Sequence, residues 1–145
     1  MRGYLAETSL LFGLNAKDKL HPHVVKILKL HHKHAIRLYI SSAAPIEAIL
    51  VMRSRGISHE NIIRALELMN AKLVEYNAST YVPVTLHTIR IAEELRSKHP
   101  ILTYFDSIHI ALAAENNLIL ITSDKEMIRV IEQEGYDYVE YKVFK

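Results

Sequence analysis

Four acidic residues, Glu7, Glu47, Asp106 and Asp124, carry the chemistry this chain can offer. Each stands where a strand-like run gives way to a helical pattern, or one turn beyond that point. Glu7 closes Tyr4-Leu5-Ala6 and is followed by two hydroxyls, Thr8 and Ser9, and then an apolar helical segment. Glu47 falls in the first turn of the helix that follows Arg37 to Ser41. Asp106 and Asp124 are 18 residues apart, in the stretch FDSIHIALAAENNLILITSD. A helix of about ten residues leads ~15 Å away from Asp106, and a strand of about five residues from Leu118 returns ~16 Å. The two lengths nearly cancel, so both aspartates are expected at one edge of a sheet, the carboxyl edge where sites of open α/β folds collect.

Four carboxylates in one cleft repel one another and resist ionisation. A divalent cation removes that conflict. A donor set made only of hard oxygens favours Mg²⁺ or Mn²⁺, which keep several waters and bind phosphate. Such a centre activates a water and stabilises charge on a phosphoryl group during in-line displacement. Each acid alone has a plainer use, because acids favour the first turns of helices for capping and dipole reasons. Thr103-x-x-Asp106 and Ser123-x-x-Glu126 both fit a capping-box pattern. The geometric agreement of all four is what favours the metal reading.

The elements that must position these acids follow from hydrophobic periodicity. The pattern predicts a strand at about 2 to 7, a short helix from Thr8, and a helix from Pro22 to about His34. A strand is expected at 37 to 41, then a helix from Pro45 to about Arg55 that Gly56 ends. Residues 58 to 76 form a long helix with Ile62, Ile63, Leu66, Met69, Leu73 and Val74 on one side. A strand near 80 to 82, helices at 84 to 98 and 106 to 116, a strand at 118 to 122, a helix at 125 to 134 and a strand around 136 to 141 complete the order. Strands separated by helices imply a parallel sheet covered on both faces. The expected class is α/β with three layers, α/β/α, as one domain over residues 1 to 145.

Composition bounds the rest. The chain has 145 residues, 50% hydrophobic and 23% charged, which is the balance of a folded globular domain. Without cysteine there can be no disulfide, thiol nucleophile or cysteine zinc site. No apolar run reaches the ~20 residues a membrane span needs. Glu7 and Gly13 interrupt the apolar N-terminal segment that could imitate a secretion signal, so a cytoplasmic setting is expected.

The order of these motifs is more specific than any one of them. Glu-Thr-Ser ends the first strand, Ser42-x-x-x-x-Glu47 enters a helix, Asp106-x-x-His109-x-Ala111 opens another, and Thr122-x-Asp124 ends a later strand. Over essentially its whole length the chain resembles the PIN domain, a family of metal-dependent ribonucleases that includes the toxins of many prokaryotic toxin–antitoxin pairs. The resemblance implies a Rossmann-like parallel sheet, a Mg²⁺ or Mn²⁺ centre, and cleavage of single-stranded RNA. It places Glu7, Glu47, Asp106 and Asp124 as the family's four acids, with Thr8 and Thr122 as assisting hydroxyls and His109 in support. It also implies a homodimer and, for a toxin, an antitoxin peptide in an apolar cleft near the helices at 45 to 76. The family normally has Asp at the first acid. Glu7 adds one methylene, reaching ~1 to 1.5 Å further. That departure keeps open an alternative: a catalytically weak PIN-like module that binds RNA or a protein partner.

One further feature concerns nucleic acid. Between Lys17 and Arg37 six basic residues face a single acid, Asp18, with five histidines interleaved. At helical spacing Lys26, Lys29 and Lys33 form a stripe opposite Val24 and Leu28. It serves either as a solvated face or as a track for a phosphate backbone. The histidines His21, His23, His31, His32 and His34 do not have the arrangement of a tetrahedral zinc site. Tyr76, Tyr81 and Tyr104 could stack bases or pack at element rims.

Overall fold

A computed structural model describes all residues of the chain, 1 to 145. Five short strands, β1 (Tyr4–Ala6), β2 (Leu38–Ser41), β3 (Tyr81–Val82), β4 (Ile119–Ile121) and β5 (Tyr138–Val139), form one sheet in the order β3-β2-β1-β4-β5. Every neighbouring pair is parallel. The chain steps outward from β1 through β2 to β3, then returns across β1 to build β4 and β5. The order therefore reverses at β1, and in such sheets the crevice at the reversal is where ligands bind.

The strands alternate their side chains between two cores, as period-2 geometry requires. Ala6, Leu38, Ile40 and Ile121 face one core, with α1 (Thr8–Phe12), α2 (His21–His32), α3 (Ala44–Ser54) and α4 (His59–Glu75). Leu5, Val82 and Leu120 face the other, with α5 (Leu86–Lys98), α6 (Tyr104–Glu115) and α7 (Lys125–Glu134). The three-layer α/β/α expectation holds. A 3-10 turn, Tyr141–Val143, follows β5 and sends Tyr141 and Phe144 back into the first core.

Local chemistry explains the boundaries. Ser58, Thr85, Thr103 and Asp124 each accept a backbone N–H at a helix start. Gly56 takes φ +76°, the left-handed conformation that ends α3. Several details differ from the sequence reading. β1 is confined to Tyr4–Ala6, α2 stops at His32 with Lys33 as its C-cap, and α5 starts at Leu86 after its cap Thr85. Helix α6 starts at Tyr104, because Thr103 is its cap and places Asp106 inside the first turn. The cap of α7 is Asp124, whose carboxylate accepts from Met127 N–H at 2.9 Å, while Ser123 Oγ instead accepts from Tyr141 N–H. On α4, Ile62 and Leu73 are buried, but Ile63 and Val74 point to solvent, about a quarter turn around the helix from the buried stripe. The last strand pairs only through Tyr138 and Val139 before the chain turns.

Candidate functional site

The register brings the site together. Ala6 lies level with Ile40 on one side and Ile121 on the other, so the next residue along each strand, Glu7, Ser41 and Thr122, stands at a common carboxyl edge. Helices α1, α3, α6 and α7 then start from that edge or close to it, bringing Thr8, Glu47, Asp106 and Asp124 into the same region.

Three of the predicted residues join one hydrogen-bonded network. Thr8 Oγ1–H donates to Glu47 Oε1. The same oxygen accepts from His109 Nε2 at 2.9 Å, and Thr8 Oγ1 is 3.3 Å from that nitrogen. The other ring nitrogen, Nδ1, lies 2.8 Å from Ser41 Oγ, which also accepts from Ala43 N–H. His109 is fully buried and bridges β2 to the helix carrying Glu47. Its Nε2 bond thus makes it the group that orients the Glu47 carboxylate. Glu7 is nearly buried, and its Oε1 accepts from the phenol of Tyr141 at 2.8 Å.

The charges respond to this setting in opposite directions. Burial holds the Glu7 carboxyl above its ordinary range; the neighbouring His109, the Tyr141 hydroxyl and the Ser9 amide oppose that rise, and Glu47 adds to it. Burial also raises Asp106, and the charges of Asp124 and Glu47 push it further, against the Thr103 hydroxyl and His109. For Glu47 burial acts upward too, but the hydrogen bonds from His109 and Thr8 outweigh it, so its carboxyl is lowered. Divergent shifts among neighbouring acids are a signature of functional clefts.

The donor set is chemically suited to a hard divalent cation: carboxylate oxygens only, with Glu7 and Asp106 both raised by burial and by the charge of Glu47. Glu47 Oε2 and Asp124 Oδ2 have no hydrogen-bond partner, since Oε1 and Oδ1 take the bonds to Thr8, His109 and Met127. The side chains are not closed into a cage, however. No three acidic or histidine side chains are grouped tightly enough to hold an ion as they stand.

Other predicted residues have separate places. Thr122 Oγ1 accepts from Asp124 N–H at 3.2 Å and contacts Met127 Sδ, so it shapes the Asp124 turn. Lys26 and Lys29 on α2 and Lys33 at its C-cap are exposed, with Val24 and Leu28 buried opposite. His21, His23 and His31 bond to Gly13 O, Phe144 O and Asn77 O, tying α2 to its neighbours. Tyr104 is half-exposed beneath the Arg96 guanidinium. Sequence reasoning missed Ser41 and Tyr141. It had marked Ser42, whose Oγ instead accepts from Val84 N–H.

A sequence model described as the PIN domain matches residues 4–132. No curated protein sequence matches the chain. Among solved structures, PAE2754 from Pyrobaculum aerophilum is 17% identical with a TM-score of 0.67, covering 98% of this chain and 92% of that one. VapBC2 from Rickettsia felis, solved bound to a DNA fragment from their promoter, is 16% identical with a TM-score of 0.71, covering 94% and 97%. FitAcB from Neisseria gonorrhoeae is 15% identical with a TM-score of 0.64, covering 96% and 98%. At these identities the structural likeness speaks for the fold.

Proposed function

The chain belongs to the PIN domain family, and from that premise we propose that it is a Mg²⁺- or Mn²⁺-dependent endoribonuclease acting on single-stranded RNA. The observation that carries the reading is the shared carboxyl edge, where Glu7, Glu47, Asp106 and Asp124 stand within one electrostatic neighbourhood. Those four acids would hold the ion. When bound, it supplies a nucleophilic water at neutral pH and neutralises charge on the scissile phosphate.

The chain's own residues prepare that step. Thr8 and His109 fix one oxygen of Glu47 and leave the other available. Ser41 sets the ring plane of His109. Asp124 spends one oxygen on capping α7, which locks its side chain at the start of that helix. Lys26, Lys29 and Lys33 provide an exposed basic stripe for the RNA backbone.

The likeness to VapBC2 and FitAcB supports a toxin role. The antitoxin would occupy an apolar groove of about 840 Å³ lined by Leu11, Phe12, Leu14, Met52, Ala65 and Leu68. We further propose a single-domain homodimer working in the cytoplasm; no helix is long and apolar enough to cross a membrane.

A second reading, a PIN module that binds RNA or protein without efficient hydrolysis, is favoured by Glu7, which stands where the family normally has Asp and is buried with one oxygen engaged by Tyr141. Cleavage of a fluorogenic single-stranded RNA in Mn²⁺ separates the two. The nuclease reading expects cleavage that EDTA stops and that Asp106→Asn reduces by at least about 100-fold. Inactive parent protein, with cleavage gained in Glu7→Asp, would establish the second reading instead.

A further inference from the structure

We propose that Tyr141 is a positioning residue for Glu7: its phenol fixes one oxygen of the carboxylate and so determines which oxygen is left to meet a divalent cation. The inference rests on the metal-centre reading above.

Tyr141 is completely buried, and its hydroxyl donates to Glu7 Oε1 at 2.8 Å across 134 positions of sequence. It is the one side chain that hydrogen-bonds Glu7. The phenol is itself held firmly. Tyr141 N–H donates to Ser123 Oγ at 3.3 Å, next to Asp124. Three residues on, Phe144 O accepts from His23 Nδ1 at 2.5 Å, and the Phe144 ring packs edge-on to Tyr4 at 6.1 Å. The turn is therefore tied to the β4–α7 loop, to α2 and to β1, which fixes the Tyr141 backbone, while complete burial restricts the ring that carries the hydroxyl.

Glutamate needs such a partner more than aspartate does. It has one more rotatable bond and a carboxylate about 1.5 Å further from the backbone, so its free position is less defined and ordering it costs more entropy. A buried phenol could have satisfied itself on any backbone carbonyl. Here it takes the carboxylate that ends the central strand. Partners of this kind, which orient a ligand without touching the ion, typically contribute 10- to 100-fold in metal affinity.

A double-mutant cycle on metal binding separates positioning from packing. Mn²⁺ affinity of the full chain, without RNA, is read from the electron paramagnetic resonance of free Mn²⁺ for the parent, Tyr141→Phe, Glu7→Asp, the double variant and Asp106→Asn. Tyr141→Phe is expected to weaken Mn²⁺ by about tenfold when residue 7 is glutamate. It should change affinity by less than about twofold in Glu7→Asp, whose shorter side chain falls short of the phenol. Equal losses in both backgrounds, or no loss in the parent, would overturn the inference while Asp106-dependent binding left the metal centre standing. Parent protein that binds Mn²⁺ no better than Asp106→Asn would overturn both. Should Tyr141→Phe fail to fold, His23→Ala runs the same cycle, since it loosens the turn without touching Glu7; loss confined to the glutamate background supports positioning, and loss in both refutes it.

Discussion

Glu7 and Glu47 share one edge of the sheet, yet their surroundings move them in opposite directions, Glu7 up by burial and Glu47 down through His109 and Thr8. A buried acid whose folded-state value is raised favours the protonated native state. Its stabilising contribution is complete below the ordinary glutamate value of 4.5 and is lost as pH rises through the raised one. Glu7→Gln keeps an acceptor for Tyr141 and removes the charge. In urea unfolding with EDTA it should therefore match the parent below the ordinary glutamate value and become the more stable of the two as pH rises through the raised one. A parent that gains on the variant as pH rises would contradict the burial argument. Asp124 poses the question of cap against ligand directly. Asp124→Ala should lose about 1 kcal/mol of stability together with activity, whereas Asp124→Ser should restore the cap and leave cleavage lost. Glu7, Thr8, Glu47 and Asp124 were legible because each sits at or one turn past a strand-to-helix boundary, and Asp106 because the helix it opens and the returning β4 nearly cancel in length. Tyr141 was not, because its contact joins the two ends of the chain. Ser41 was passed over for Ser42 because adjacent residues at a strand end face opposite ways, and a shift of one exchanges their surroundings.

Elements were legible where punctuation and period agreed. Helix α7 runs from Lys125 to Glu134, between a capping acid and Gly135 at φ +76°, as its pattern indicates. The start of α6 lies two residues before the expected Asp106, just after Thr103, where the Thr103-x-x-Asp106 capping pattern already puts the cap. The last strand shrank because its tyrosines alternate equally well along a strand and along a chain turning into a core. The glycine that stops α3 allows a clean test. A Cβ on Gly56 would meet nothing within 4 Å, so any cost of Gly56→Ala is conformational. Thermal unfolding should show a loss of about 1 kcal/mol; an unchanged midpoint would mean the left-handed turn is not required.

At the scale of the molecule, parallel strands and two covered faces followed from the alternation of elements, but the strand order did not. Sequence order does not say on which side of β1 the chain will return. That reversal places β1 between β2 and β4, and it sets Glu7 between Ser41 and Thr122. The groove between α1, α3 and α4 and the basic face of α2 are likewise products of packing, visible in sequence only as stripes. The proposed metal centre at this edge draws its four acids from four separate parts of the chain. Anomalous diffraction from crystals soaked in Mn²⁺ tests it most directly. The predicted result is a peak at the carboxyl edge with oxygens of at least three of Glu7, Glu47, Asp106 and Asp124 within about 2.0 to 2.4 Å. A fully occupied Mn²⁺ elsewhere with none at that edge would contradict it.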